Sequence, residues 1–152
     1  MLGGHVGTIP KLRPQWKIIH EFKPISYESS AAYTTPVSLR ILSLKRRVLQ
    51  IDFPAPNMRL ATLQSSTHQY AIVCKAPLLG GEWCKVEISH EKEEDKYTLA
   101  MSVGGQEVGR LGSVPPVLSN LTDVKICIGA KEGDYTDSQH GNIRGLVVLD
   151  KP

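Results

Sequence analysis

The sequence predicts an all-β fold, an antiparallel β-sandwich, on three observations. Apolar residues recur at every second position through most of the chain, and turn residues fall between those runs. No segment carries the apolar stripe of an amphipathic helix. Ten or more short strands in 152 residues, without helices alternating between them, close into a sandwich or a barrel.

Taken in order, residues 1–14 are expected to form an irregular N-terminal arm. Trp16, Ile18, His20 and Phe22 then share one face of a strand. Val37, Leu39 and Ile41 alternate with Ser38 and Arg40, and Leu49, Ile51 and Phe53 with Gln50 and Asp52. The basic cluster Lys45, Arg46 and Arg47 between these runs reads as a solvated turn. Cys84, Val86 and Ile88 alternate with Lys85, Glu87 and Ser89, and Tyr97, Leu99, Met101 and Val103 with Thr98, Ala100 and Ser102. Val124, Ile126 and Ile128 follow, and then residues 143–149. Gly104 and Gly105 mark a tight hairpin, and Pro54, Pro56, Pro115, Pro116 and residues 131–134 mark other connections. Residues 90–96 (HEKEEDK) have no apolar stripe and read as a charged hairpin loop.

Length and composition bound the function. The chain fits one domain over residues 1–152, with 41% hydrophobic and 22% charged residues, ordinary values for a globular protein. A formal charge of +3 is too mild for a dedicated nucleic-acid binder. No apolar run approaches the roughly 20 residues that span a bilayer, so membrane insertion is not expected. The first residues lack the pattern of a signal peptide, so a secreted form would be a mature chain or an excised domain. Of the three cysteines, Cys74 closes one apolar stretch and Cys84 opens the next, across Pro77, Gly80 and Gly81. If those stretches are hairpin partners, the two sulfurs can meet as a disulfide; the alternative is two small buried thiols. Cys127 has no obvious mate. Asn120-Leu121-Thr122 is an N-glycosylation sequon.

The richest candidate site is the connection before the last strand, which holds Asp134, Tyr135, Asp137, Gln139, His140 and Asn142. Carboxylates, amides and an aromatic face in one loop are the groups that hold sugar hydroxyls and the apolar face of a sugar ring. Asp134 and Asp137 offer two oxygens to a calcium ion, with backbone carbonyls and water completing the shell, although the loop does not have EF-hand spacing. The alternative is a solvated loop held by Asx turns. His5, His20, His68 and His90 show no zinc-ligand spacing, and C-x-x-C is absent. His20, sharing a face with Trp16 and Phe22, reads as a hydrogen-bonded core histidine or a pocket wall. Glu87 has no acidic partner two residues away, and no nucleophile elbow, phosphate loop or dinucleotide fingerprint occurs, so catalysis is disfavoured. Beyond calcium, no cofactor is expected.

Three stretches carry a family resemblance. GEWCKVEISHEKEEDKYTLAMSVGGQEV (81–108) resembles an element of laminin-G and concanavalin A-like jelly-roll domains. In that element a tryptophan opens a strand, a charged turn follows, and a V-x-G-x-x-V hairpin closes it. DVKICIGAKEGDYTDSQHGNIRGLVVL (123–149) is similar to the end of such domains, a strand and loop before G-x-I-R-x-L-x-V. HEFKPISY (20–27) looks like their opening strand. The resemblance implies a jelly-roll sandwich that is an extracellular or cell-surface binding module without enzymatic activity. It implies recognition of a glycan or glycoprotein through rim loops, sometimes with calcium. Two other readings stay open: a carrier whose pocket is lined by Trp16, Phe22, Phe53 and Trp83, and a structural or homo-oligomeric adhesion module.

Overall fold

Period-two alternation produces two layers, each presenting its apolar side to the other. The computed structural model describes residues 4–24, 37–53, 61–65, 71–74, 82–112, 114, 116–128 and 141–151. One sheet has six strands in the order β1 (Gly4–Leu12), β10 (Leu121–Ile128), β3 (Val37–Ser43), β4 (Arg46–Phe53), β5 (Ala61–Ser65) and β6 (Ala71–Cys74). The other has five, in the order β11 (Gly141–Asp150), β2 (Trp16–Pro24), β7 (Cys84–Glu93), β8 (Lys96–Val103) and β9 (Gln106–Leu111). Every neighbouring pair is antiparallel. The chain is a jelly-roll β-sandwich.

The core is what the alternation placed inward. Trp16, Ile18, Phe22, Leu39, Leu49, Ile88, Leu99 and Met101 are fully buried. Each such side chain stabilises the fold by about 1.5–3 kcal/mol relative to exposure. Trp16 also donates its indole N–H to the Leu118 carbonyl at 3.0 Å, which ties β2 to the 3-10 turn Pro116–Ser119. His20 is a core histidine as expected, but neither ring nitrogen has a hydrogen-bond partner among the described residues. Burial therefore drives its pKa down to about 4.

Three expectations are corrected. Residues 4–12 are not an irregular arm: they form the edge strand β1, paired with β10 from Gly4↔Ile128 to Leu12↔Leu121. An edge position tolerates Pro10, whose missing N–H costs no ladder bond on the solvent side. The segment 90–96 does form a hairpin, but its loop is shorter than expected, because β7 and β8 run through it and turn on Glu94 and Asp95 alone. The hairpin that would have set Cys74 against Cys84 is not formed. Cys74 lies on β6, paired with β5, whereas Cys84 lies on β7 in the opposite sheet, opposes Phe22 and is a free thiol. Strands adjacent in sequence here cross between layers, so sequence proximity did not give a shared ladder.

Two-residue turns close three hairpins. Gly104 (φ 61°) and Gly105 (φ 83°) occupy the left-handed region at no steric cost. Leu44 (φ 51°) and Lys45 (φ 64°) take the same conformation between β3 and β4, at about 1–2 kcal/mol each. Three hydrogen bonds clamp that turn to β10: Leu44 N–H to the Thr122 carbonyl (3.2 Å), Ser43 Oγ to the same carbonyl (2.8 Å), and Thr122 N–H to Ser43 Oγ (3.1 Å).

The two ends of the sandwich differ in their connections. β2, β4, β6 and β10 end at one rim, from which residues 25–36, 54–60, 75–83 and 129–140 depart. The short turns at residues 13–15, 44–45 and 94–95 lie at the other.

Candidate functional site

The loop-bearing rim gathers a cluster from three strands. Cys84 opposes Phe22, so Trp83, one residue earlier, stands beside Lys23 at the end of β2. On the other side of β2, Arg144 of β11 opposes Glu21 and Asn142 opposes Lys23. In β2 the even-numbered residues 16–22 face the core, which leaves Glu21 and Lys23 on the outer face of the five-stranded sheet.

There the Arg144 guanidinium lies over the half-buried Trp83 ring, its carbon 3.8 Å from the centroid. The Lys23 ammonium is 5.9 Å from the same centroid. Arg144 Nε donates to Glu21 Oε2 at 2.5 Å. A cation over an indole contributes about 0.5–1 kcal/mol at an exposed site, so ring and carboxylate together hold the guanidinium in one orientation. Its terminal N–H groups make no bond to a described residue, which leaves them as donors. Next to Trp83, burial pushes the Cys84 thiol up, partly offset by a hydrogen bond with the Gly104 backbone. At neutral pH it stays protonated and is a poor nucleophile.

Of the residues expected to bind ligand, Asp134, Tyr135, Asp137, Gln139 and His140 lie outside the described residues. Asn142 is on β11, opposite Lys23 and two residues before Arg144, so the cluster stands at the root of that connection. Lys23, Glu21 and Arg144 were not anticipated. The signals for them were Trp83 as the residue that opens a strand and Arg144 in the G-x-I-R pattern.

The opposite rim is built differently. His90 is sandwiched between Trp16 (centroids 5.4 Å apart, planes 20° apart) and Tyr97 (4.9 Å, 4°), and its Nδ1 lies 2.6 Å from the Pro14 carbonyl, to which it donates. Burial lowers its pKa, against the opposing pull of that carbonyl. A cleft of about 320 Å³ lies beside Trp16, edged by Lys17, Glu91, Leu149, Asp150 and Lys151. Of the residues named for the carrier reading, Trp16 and Phe22 are core side chains, 2% and 0% exposed, and Trp16 also borders this cleft; Trp83 is half-buried at the rim, and the Phe53 side chain lies outside those described.

No family model matches the sequence, and no curated protein matches it either. Solved structures do resemble the fold. A native heptameric SAP-like pentraxin from Limulus polyphemus superposes with a TM-score of 0.63 at 18% identity, covering 95% of this chain and 67% of that one. The Caenorhabditis elegans galectin LEC-6 gives 0.60 at 9% identity, over 96% and 89% of the two chains. The carbohydrate recognition domain of Emp47p gives 0.61 at 10% identity, over 83% and 67%. At these identities the likeness is one of architecture: the chain has the concanavalin A-like jelly-roll sandwich that these proteins share.

Proposed function

We propose that this chain is a lectin-like module without enzymatic activity that binds a glycan or glycoprotein at its loop-bearing rim, in an extracellular or cell-surface setting. The observation that carries this reading is the Trp83, Arg144 and Lys23 cluster at the rim from which the long connections depart. An indole face suits the apolar side of a sugar ring, and a fixed guanidinium donates to hydroxyls or carboxylates. Loops whose ends are held by rigid sheets are where binding groups concentrate. Support also comes from the company the fold keeps, which includes galectins and a carbohydrate recognition domain. Within that fold we favour the laminin-G pattern, on residues 81–108 and 123–149.

In this reading Asp134, Tyr135, Asp137, Gln139, His140 and Asn142 supply the remaining contacts, and Asp134 and Asp137 would hold calcium if the site uses it. A glycan array probed with and without a chelator tests the proposal. Binding to a defined set of glycans is expected; no binding in either condition rejects it. Asp137→Ala should weaken binding about tenfold to a hundredfold, the loss of one charge-assisted hydrogen bond. Tyr135→Ala should weaken it too, while Glu93→Ala in the distant β7–β8 hairpin leaves it unchanged.

A further inference from the structure

The two sheets differ in their charge balance. The strands of the five-stranded sheet carry acids among their cations. Lys85, Arg110, Arg144 and the neighbouring Lys151 each meet a carboxylate: Glu87 at 2.8 Å, Glu107 at 2.6 Å and also Glu93, Glu21 at 2.5 Å, and Glu91 at 3.4 Å. Lys17, Lys23, Lys92 and Lys96 do not, among the described residues. On the six-stranded sheet Lys11, Lys45, Arg46 and Lys125 have no carboxylate partner among the described residues. Arg40 and Arg47 add to the positive charge there, against Asp52 and Asp123 as the only acids in those six strands.

These cations lie on neighbouring strands near one hairpin tip, with Asp123 of β10 among them. Lys45 is in the β3–β4 turn and Arg46 follows it. Thr122, which clamps that turn, opposes Lys11 of β1, and Lys125 opposes Leu42 of β3. With strands about 4.8 Å apart, the set spans the four neighbouring strands β1, β10, β3 and β4, about 15 Å across. At its tip is Leu44, 65% exposed, the most exposed large apolar side chain among the described residues. Leu44 and Lys45 both hold left-handed backbone that glycine would adopt freely, as Gly104 and Gly105 do in the other hairpin. Backbone strain kept at an exposed tip directs attention to the side chains there.

An apolar tip collared by cations matches the surface of an anionic bilayer, where acyl boundary and phosphates lie at successive depths. A soluble polyanion would use the cations but not the leucine. Single-stranded nucleic acid would need aromatic stacking platforms, and the strands of this sheet contain one aromatic residue, Phe53. We propose that the β3–β4 hairpin tip docks on anionic phospholipid, with Leu44 entering the headgroup layer and Lys11, Lys45, Arg46 and Lys125 meeting phosphates. The loop-bearing rim then faces away from the lipid.

Sedimentation of the whole chain with phosphatidylcholine vesicles, with and without phosphatidylserine, tests this independently of any glycan. Binding is expected only with phosphatidylserine and should fall with added salt. Lys45→Glu with Arg46→Glu should weaken it more than tenfold, each cation near the surface being worth about fivefold. The decisive variant is Leu44→Gly, which should bind several-fold more weakly while its melting temperature equals or exceeds the parent's, because glycine relieves the left-handed backbone. Absence of sedimentation with phosphatidylserine overturns the proposal. So does Leu44→Gly binding as well as the parent. Binding to a soluble sulfated polysaccharide with no vesicle binding overturns it in favour of a polyanion surface.

Discussion

The molecule's two tryptophans, one near each end of the sandwich, show what a residue type alone does not say. Trp16 is 2% exposed, hydrogen-bonded to Leu118 and stacked on His90, so every part of its side chain is committed within the fold. Trp83 is half-buried at the rim from which the long connections leave, its face engaged, among the described residues, by cations from neighbouring strands. The first belongs to stability; in the proposed function the second serves recognition. The difference comes from position: Trp16 is on the inward face of β2, and Trp83 precedes β7 on the outward side.

Mutation can separate the two roles. Trp16→Ala should show the largest effect, a loss of about 3–5 kcal/mol of stability from the cavity alone, with the Leu118 carbonyl also left without its donor. Chemical denaturation read by circular dichroism would measure it, and a cost near 1 kcal/mol would show that the Trp16 end is looser than its burial implies.

Next in size is the pH response of the same interior. His20, with its folded pKa lowered to about 4 by burial, is neutral in both states above its ordinary value near 6.5. Between those values the unfolded chain takes up a proton that the folded chain refuses, so stability falls as pH falls through that window, by roughly 3 kcal/mol in all. His90, lowered as well, acts in the same direction. Urea midpoints measured from pH 7 down to pH 4 should show this slope. His20→Leu should flatten it and raise neutral-pH stability by about 1–3 kcal/mol, because two buried nitrogens without a partner among the described residues are removed.

Trp83→Ala reverses the pattern. Stability should change by about 1 kcal/mol or less, the scale of the cation contacts, while affinity for the glycan found by array falls at least tenfold. If it instead destabilises as much as Trp16→Ala, the contrast between the two ends collapses. Smallest of all is Glu107→Ala. The Arg110 guanidinium lowers that carboxyl's pKa, but both groups are exposed, and the expected change is within about 0.5 kcal/mol.

How far these features were legible in the sequence depends on how local they are. The inward set Trp16, Ile18, His20 and Phe22 and the Gly104 and Gly105 hairpin were readable because alternation and turn chemistry act between near neighbours. The edge strand β1 was missed because its glycines and proline mask a strand that long-range pairing with β10 stabilises. The cysteine hairpin was misjudged because β6 and β7, close in sequence, belong to different sheets. The rim cluster joins Lys23, Trp83 and Arg144 across three strands, and no spacing rule announces a contact between residues so far apart in the chain. Leu44 and Lys45 gave no sign of left-handed backbone, since neither is a residue that usually marks it.

The sheet borders hold a consequence for behaviour in concentrated solution. An edge strand offers a row of unpaired amides to any other strand, the start of fibrous assembly. Here β1 carries an extra residue between His5 and Gly7, β11 one between Arg144 and Val147, where Gly145 has φ 63°, and β9 one at Val108; β6, the remaining edge, is four residues long. Each bulge interrupts the regular spacing that a foreign strand would need in order to pair. The described edges therefore resist strand-to-strand pairing between copies in concentrated solution.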